Sequence, residues 1–151
     1  MTPWSAERIR DEVILVARLL LILLFIVFGW SKLSDYSGTV GYMTHVSAPM
    51  PSVAALVAIV VEFFVALAVG LGVLTRPLAL LLALYTLGTA LIAHHFWTMQ
   101  GGDRYANAIN FYKNISIIGG LLLLYVTGAG KYSVDARFGS AMERHWPWPR
   151  S

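Results

Sequence analysis

The sequence contains no cysteine. That absence excludes a disulfide framework, a thiolate metal site, an iron–sulfur cluster and a thiol nucleophile. Charge is scarce too. Only 13% of the 151 residues are Asp, Glu, Lys or Arg, against about 25% in an average soluble domain. Apolar residues make up 58%, against about 45–50%, and the mean hydropathy is +0.68. This balance excludes a water-soluble globular enzyme. It also excludes disorder, which requires low hydrophobicity. The net charge of +3, in so apolar a chain, speaks of membrane orientation and not of nucleic acid.

Against that shortage of charge stand four long apolar runs, each near the roughly 20 residues that a bilayer crossing needs. They cover about 13–33, 52–74, 78–97 and 106–128. Such spans must be helices, because lipid leaves no backbone group cheaply unpaired. Thr75-Arg76-Pro77 predicts a tight hairpin with Pro77 as the first residue of the third helix. Gly128-Ala129-Gly130 predicts the C-cap of the fourth. The first run is too long for a signal peptide, and Gly29-Trp30-Ser31-Lys32 is a poor cleavage site, so it reads as retained.

Arg8, Arg10, Arg76, Lys131, Arg137, Arg144 and Arg150 fall on one side of the membrane, and only Lys32 and Arg104 on the other. The positive-inside rule then puts both termini in the cytoplasm. Trp4, Trp30, Trp97, Tyr132, Trp146 and Trp148 lie near span ends, as interfacial aromatics do. Tyr36, Val40 and Met43 recur at helical spacing between spans one and two. They predict a short amphipathic helix on the outer surface, ended by Ala48-Pro49-Met50-Pro51.

A charge at bilayer depth costs several kcal/mol and usually faces the bundle interior. Arg18, Glu62 and Lys113 are the deep candidates. Ala54, Ala58, Glu62, Ala66 and Gly70 recur every four residues, so Glu62 sits in a small-residue packing seam. Arg18, Phe25, Gly29 and Lys32 share a face of the first span. At 1.5 Å per residue, Glu62 lies roughly 15 Å and Lys113 roughly 9 Å below the outer edge, and Arg18 roughly 8 Å from the inner edge. The expected partner of Glu62 is therefore Lys113, Arg18 or both. Two readings stand: an ion network that fixes helix register, or a site for a head group, a quinone or a proton.

His94 and His95 close the third span. Neighbours on a helix point about 100° apart, so one is expected to face the bundle and the other interfacial water. A metal or haem built from His45, Glu62 and one of this pair is the minor alternative, and no metal site is assigned. Phe96, Trp97, Phe111, Tyr112 and Trp30 gather at the outer level, as an aromatic belt or as a pocket wall. Since Lys32, Glu62, His95, Lys113 and Asn114 occupy the outer halves of the spans, a site is expected to open there.

Gly29-Trp30-Ser31-Lys32, Glu62, Gly72-Val73-Leu74-Thr75-Arg76-Pro77, His95, Tyr112-Lys113-Asn114 through Gly119-Gly120-Leu121-Leu122, and Gly128-Ala129-Gly130-Lys131-Tyr132-Ser133-Val134-Asp135 occur in that order. This set resembles the DoxX family of small four-helix membrane proteins, over about residues 13–135. The resemblance implies a bacterial inner-membrane location and a link to redox chemistry. The family is named for a subunit of an archaeal thiosulfate:quinone oxidoreductase, and a distant animal branch looks like an assembly chaperone for acetylcholine receptors. By the motif match, the family's polar positions fall on Lys32, Glu62, Arg76, His95, Lys113 and Asn114.

The expected architecture is all-α: a polytopic bundle of four transmembrane helices with a short interfacial helix between spans one and two. A cytoplasmic segment 1–12 precedes the membrane domain 13–135, and a cytoplasmic tail 136–151 follows it. The expected ligand-binding residues are Glu62, Lys113, His95, Asn114, Lys32 and Arg18, with no catalytic residue assigned. The expected function is that of a quinone-interacting or redox-associated membrane subunit, with quinone as the cofactor. The alternative is a non-enzymatic assembly chaperone or a lipid or small-molecule binder. Expected partners are the lipid bilayer, a redox protein and a second copy of the chain, with no nucleic acid.

Overall fold

The computed structural model describes residues 3–138, with side chains over 9–137. The expectations at Trp4, Arg8, Arg144, Trp146, Trp148 and Arg150 concern side chains outside that range. Among the described residues every regular element is helical. The helices are α1 (Pro3–Ser34), α2 (Tyr36–His45), α3 (Pro51–Ile59), α4 (Ala66–Leu71), α5 (Thr75–Ala93), α6 (Gly101–Thr127) and α7 (Val134–Phe138). One wide π-helical turn, Val60–Val65, joins α3 to α4 into a single rod. Four stretches are long and apolar enough to cross a membrane: Ile9–Ser34, Pro51–Leu71, Thr75–Thr98 and Gly101–Thr127.

The helix ends follow local chemistry. Asp35 caps α2 by accepting from the Gly38 N–H at 2.9 Å. Pro51 opens α3, where its missing N–H is no loss. Gly72 (φ 76°) and Gly128 (φ 75°) close α4 and α6. The hairpin between spans two and three is tighter than the sequence suggests. Leu74 turns left-handed at φ 47° and α5 starts at Thr75, so Pro77 lies inside its first turn. The third span ends earlier, since α5 stops at Ala93 and a short 3₁₀ turn, Phe96–Thr98, follows.

Outward faces are largely apolar. Leu20, Leu84, Leu123 and Val126 are all more than half exposed, as lipid-facing residues are. Inside, Ile22 and Phe25 of α1, Ala66 and Val69 of α4, Ala79 and Leu82 of α5, and Leu121 and Leu124 of α6 form one core. Alanines at the seams let backbones approach, and van der Waals packing then holds the bundle. α2 lies across one end, where Met43 and Ala48 pack on Ala55 and Ala58 of α3. The Tyr36 hydroxyl donates to the Ser52 carbonyl at 3.1 Å.

The packing is uneven, and this positions the cleft described next. α1 runs along the second span, and α5 along α6. α1 and α6 touch over a short stretch, where a Cβ on Gly120 would lie 3.1 Å from Leu21 Cδ1. Toward α2 they part.

Candidate functional site

Between the parted halves of α1 and α6 lies a cleft of about 1500 Å³. Its walls are mostly apolar: Leu24 and Phe28 of α1, Met43 of α2, Val57 of α3, and Ile92 of α5. Its polar lining is small in area, and Lys32, Asp35, Tyr42, Glu62, Tyr85, His94, Lys113 and Asn114 belong to it. An apolar cavity with a few placed polar groups is the form of a small-molecule site.

Glu62 is the hub. It lies in the π-helical turn and is 8% exposed. Lys32 Nζ sits 2.6 Å from its Oε2. The Tyr85 hydroxyl donates to its Oε1, also at 2.6 Å. Both contacts are short and charge-assisted, hence strong. The geometry rests on Gly29. A Cβ there would lie 2.7 Å from Glu62 C and from Phe63 N, so only glycine lets α1 lie directly on the π turn. Lys32, one turn further along α1, then reaches the carboxylate.

This corrects the sequence expectation, which gave Glu62 to Lys113, Arg18 or both. Arg18 lies at the other end of the bundle. Its Nη1 donates to the Ala129 carbonyl at 2.5 Å and its Nη2 to the Tyr132 carbonyl at 2.8 Å. Arg18 therefore holds the segment after α6 and does not line the cleft. Lys113 does line it, but no ion pair or hydrogen bond within the described residues joins it. Asn114 lines it too, likewise without a hydrogen bond.

The two histidines part as the sequence suggests, and the one that lines the cleft is His94, not His95. His94 lines the cleft and shares a 2.9 Å hydrogen bond between Nδ1 and Asn107 Oδ1. His95 turns away, bonded to the Ile92 carbonyl at 2.7 Å and set edge-on to Trp97. The helix has already ended at Ala93, so helical spacing no longer governs these two residues. Among the described residues no three His, Asp or Glu side chains lie close enough to hold a metal. The ring cluster of Phe96, Trp97, Phe111 and Tyr112 is present, in edge-to-face contacts of 5.4–5.8 Å and one tilted contact, Phe96–Tyr112, at 6.0 Å; of these four only Tyr112 reaches the cleft.

Sequence reasoning missed Tyr85 and Tyr42. Tyr85 was legible in principle: a tyrosine in the middle of an apolar helix must find a partner for its hydroxyl. Tyr42, on α2, lines the cleft. Burial, and secondarily the Glu62 carboxylate, raise its pKa above the ordinary phenol value, so it remains a neutral hydroxyl.

At the opposite end the polar groups mostly hold backbone, although the buried Arg18 Nε and Thr75 Oγ1 have no hydrogen-bond partner among the described residues. Asp135 accepts from the N–H groups of Leu74 (2.8 Å) and Thr75 (3.0 Å) at the start of α5. Its own N–H donates to the Gly72 carbonyl at 2.8 Å. A Cβ on Gly72 would collide with Ser133. The Gly72–Thr75 turn and the Gly128–Asp135 segment, singled out in the sequence as motifs, thus interlock. Arg76 lies against Gly128 in the same staple.

The DoxX family model matches residues 13–95. The chain belongs to the DoxX family. Two relatives from Escherichia coli extend the likeness across nearly the whole chain. Inner membrane protein YphA is 49% identical over 128 residues, which is 85% of this chain and 91% of YphA. Inner membrane protein YqjF is 41% identical over 132 residues, 85% of this chain and 94% of YqjF. The yeast ER-derived vesicles protein ERV29, from Saccharomyces cerevisiae, is 26% identical over 131 residues; these cover 87% of this chain and 35% of ERV29. No solved structure gives a match. With four apolar helices, this DoxX-family chain is a multi-pass inner-membrane protein.

Proposed function

We propose that this DoxX-family protein binds a quinone in the cleft between α1 and α6 and serves as the membrane subunit of a redox pair. The observation that carries the reading is Glu62, held between Lys32 and Tyr85 at the edge of an apolar cleft that also holds Lys113. A quinone has two carbonyl acceptors on a flat apolar ring, and this lining complements both features. Lys113 and Asn114 offer donors to a carbonyl. The Tyr85 hydroxyl donates to the Glu62 carboxylate at 2.6 Å, a hydrogen-bonded pair of the kind from which a general acid or base works. A bound quinone would supply a two-electron, two-proton couple, with electrons drawn from a partner protein, because the chain has no cysteine to carry them.

The test is purification from native membranes in lipid nanodiscs, extraction and quinone analysis, followed by titration with a short-chain quinone analogue. The expected result is co-purified quinone and saturable binding that Glu62→Gln and Lys113→Met each weaken about tenfold. No quinone and no binding overturn the reading.

A second reading, a non-enzymatic assembly or lipid-binding role, draws on α6. Tyr105, Ile109 and Tyr112 fall at helical spacing on one face and are 73%, 44% and 62% exposed, an apolar strip on which a partner helix could lie. Pull-down in mild detergent with no stoichiometric partner removes it. Both readings share one topology. Arg10, Arg76, Lys131 and Arg137 lie at the end where α1 begins, and Lys32 and Arg104 at the other. The positive-inside rule places the first end in the cytoplasm and the cleft in the outer half.

A further inference from the structure

We infer that the cleft takes its occupant sideways from the bilayer, between α1 and α6, and that Gly88 makes the room for it. The inference rests on the cleft being a binding site, and it names the class of ligand: an amphiphile already dissolved in lipid, with acceptor oxygens on its head.

Three observations carry it. The first is the shape of the mouth. Leu24 and Phe28 on α1, and Tyr112 and Ser116 on α6, line the cleft while remaining exposed to the surroundings. They are the rims of an opening. Ser116 is fifteen residues into α6, roughly 22 Å along a helix of roughly 40 Å. The surroundings at that depth are lipid. Toward Gly120 the opening closes on Leu21. At the other end α2 lies across it, through Thr39, Tyr42 and Met43.

The second is Gly88 itself. It sits inside α5, where glycine weakens a helix relative to alanine. Glycines in membrane helices commonly repay that cost by close backbone contact, as Gly29 does against Glu62. Gly88 makes no such contact: a Cβ there would meet nothing within 4 Å, and the residue lines the cleft. What the missing side chain leaves is space.

The third is the hydrogen-bonding state of the lining. The Tyr85 hydroxyl is engaged by Glu62. Lys113 and Asn114 have no partner among the described residues. Lys113 is donor only; of the two carboxylates in the lining, Glu62 is held by Lys32 and Tyr85, and Asp35 caps α2. The occupant must therefore bring acceptor oxygens. Quinones and lipid esters both do, and their apolar remainder would leave through the mouth into the acyl chains.

The chain has no cysteine, so single thiols can be read without background. In proteoliposomes, Gly88→Cys is treated with bilayer-partitioning N-dodecylmaleimide, or with the membrane-impermeant charged thiosulfonate MTSET applied to either face. The expected result is labelling by the alkyl reagent at least tenfold faster than by the charged one. Adding Ser116→Trp should slow that labelling at least fivefold. The lipid-facing control Leu84→Cys should keep its rate with or without the tryptophan. Equal or faster labelling by the charged reagent means that the cleft opens to water and overturns the inference. So does absence of labelling at Gly88→Cys while Leu84→Cys reacts. In a second arm, decylubiquinone is added before the alkyl reagent. Protection supports the quinone reading as well. Lack of protection with the labelling pattern intact refutes the quinone and leaves the sideways opening standing, with a lipid as the occupant.

Discussion

Replacing Lys32 by methionine should cost more stability than replacing Glu62 by glutamine, although both changes break the same ion pair. The asymmetry comes from depth. Glu62 is eleven residues past Pro51, roughly 16 Å along the rod, whereas Lys32 is two residues from the end of α1. A lysine near a helix end can swing its ammonium to the interface on its long stem. A glutamate in mid-span has no such escape. Removing one member of a buried pair costs about 3–5 kcal/mol, mostly from the charge left behind. Here the side chains are 20% and 11% exposed, and that partial solvation brings the expectation for Lys32→Met to about 2–3 kcal/mol. Glu62→Gln keeps an acceptor for Tyr85 and frees Lys32 to move outward, for a loss of about 1 kcal/mol. At roughly 2–4 °C per kcal/mol for a chain of this size, Lys32→Met should lower Tm by about 4–12 °C and Glu62→Gln by about 2–4 °C. Thermal unfolding in one detergent, followed by tryptophan fluorescence, reads both. The double variant is the decisive one. With the carboxylate gone, nothing is stranded, so Lys32→Met/Glu62→Gln should be more stable than Lys32→Met alone. A double variant no better than Lys32→Met, or a Glu62→Gln loss as large as the lysine's, refutes the reasoning.

Gly29→Ala should cost about 1–3 kcal/mol, because the added methyl meets backbone at 2.7 Å and nothing there can rotate away; a melting temperature equal to the parent's would contradict the close crossing. Asp135→Ala should cost about 1–2 kcal/mol, since it frees two N–H groups at the start of α5, and Asp135→Asn, which keeps one acceptor, should lose less in the same melt. Ultraviolet titration should show Tyr42 ionising above the ordinary phenol range, a step missing in Tyr42→Phe, because burial and the Glu62 carboxylate disfavour the phenolate. A group whose folded pKa is raised contributes stability that is complete below its unfolded value, about 10 for tyrosine, and is lost as pH rises through the folded value. Tyr42→Phe should therefore unfold less steeply than the parent above about pH 10.

The four spans were legible to within a few residues because the bilayer itself dictates their length and composition. The short helix between spans one and two was legible from Tyr36, Val40 and Met43 for a similar reason: a face that must meet apolar surroundings repeats at 3.6 residues. The partner of Glu62 was not legible. Depth along each helix treats the helices as separate rods, and by depth Lys32 looked too shallow. What decides the pair is the crossing of α1 on the π-helical turn, and neither Gly29 nor the turn announces that contact in one dimension. The split between the two histidines was legible, one toward the bundle and one away, but which of them lines the cleft was not. The 100° argument needs a helix under both residues, and α5 ends one residue before His94.

The polar groups at the two ends of this bundle divide by what they bond: turn backbone at one end, one another's side chains at the other. At the end where α1 begins, Arg18 holds two carbonyls, Asp135 holds two N–H groups, and Ser133 donates to the Gly130 carbonyl at 2.7 Å. Such a set ties together the turns it joins, although Arg18 Nε and Thr75 Oγ1 stay buried there without a partner among the described residues. At the α2 end, Glu62 is satisfied twice over, yet the lining beside it keeps Lys113 and Asn114 without partners among the described residues. A lysine within a membrane helix is costly, and a chain that needed only packing would gain by an apolar residue there. Both ends carry motifs of comparable prominence in the sequence, so prominence alone does not separate structure from function. What each group holds does: Arg18 and Asp135 tie the backbone of the turns and read as the bolts of the fold, and Lys113, which shares the cleft with the Glu62–Lys32–Tyr85 cluster, as the group that awaits something from the bilayer.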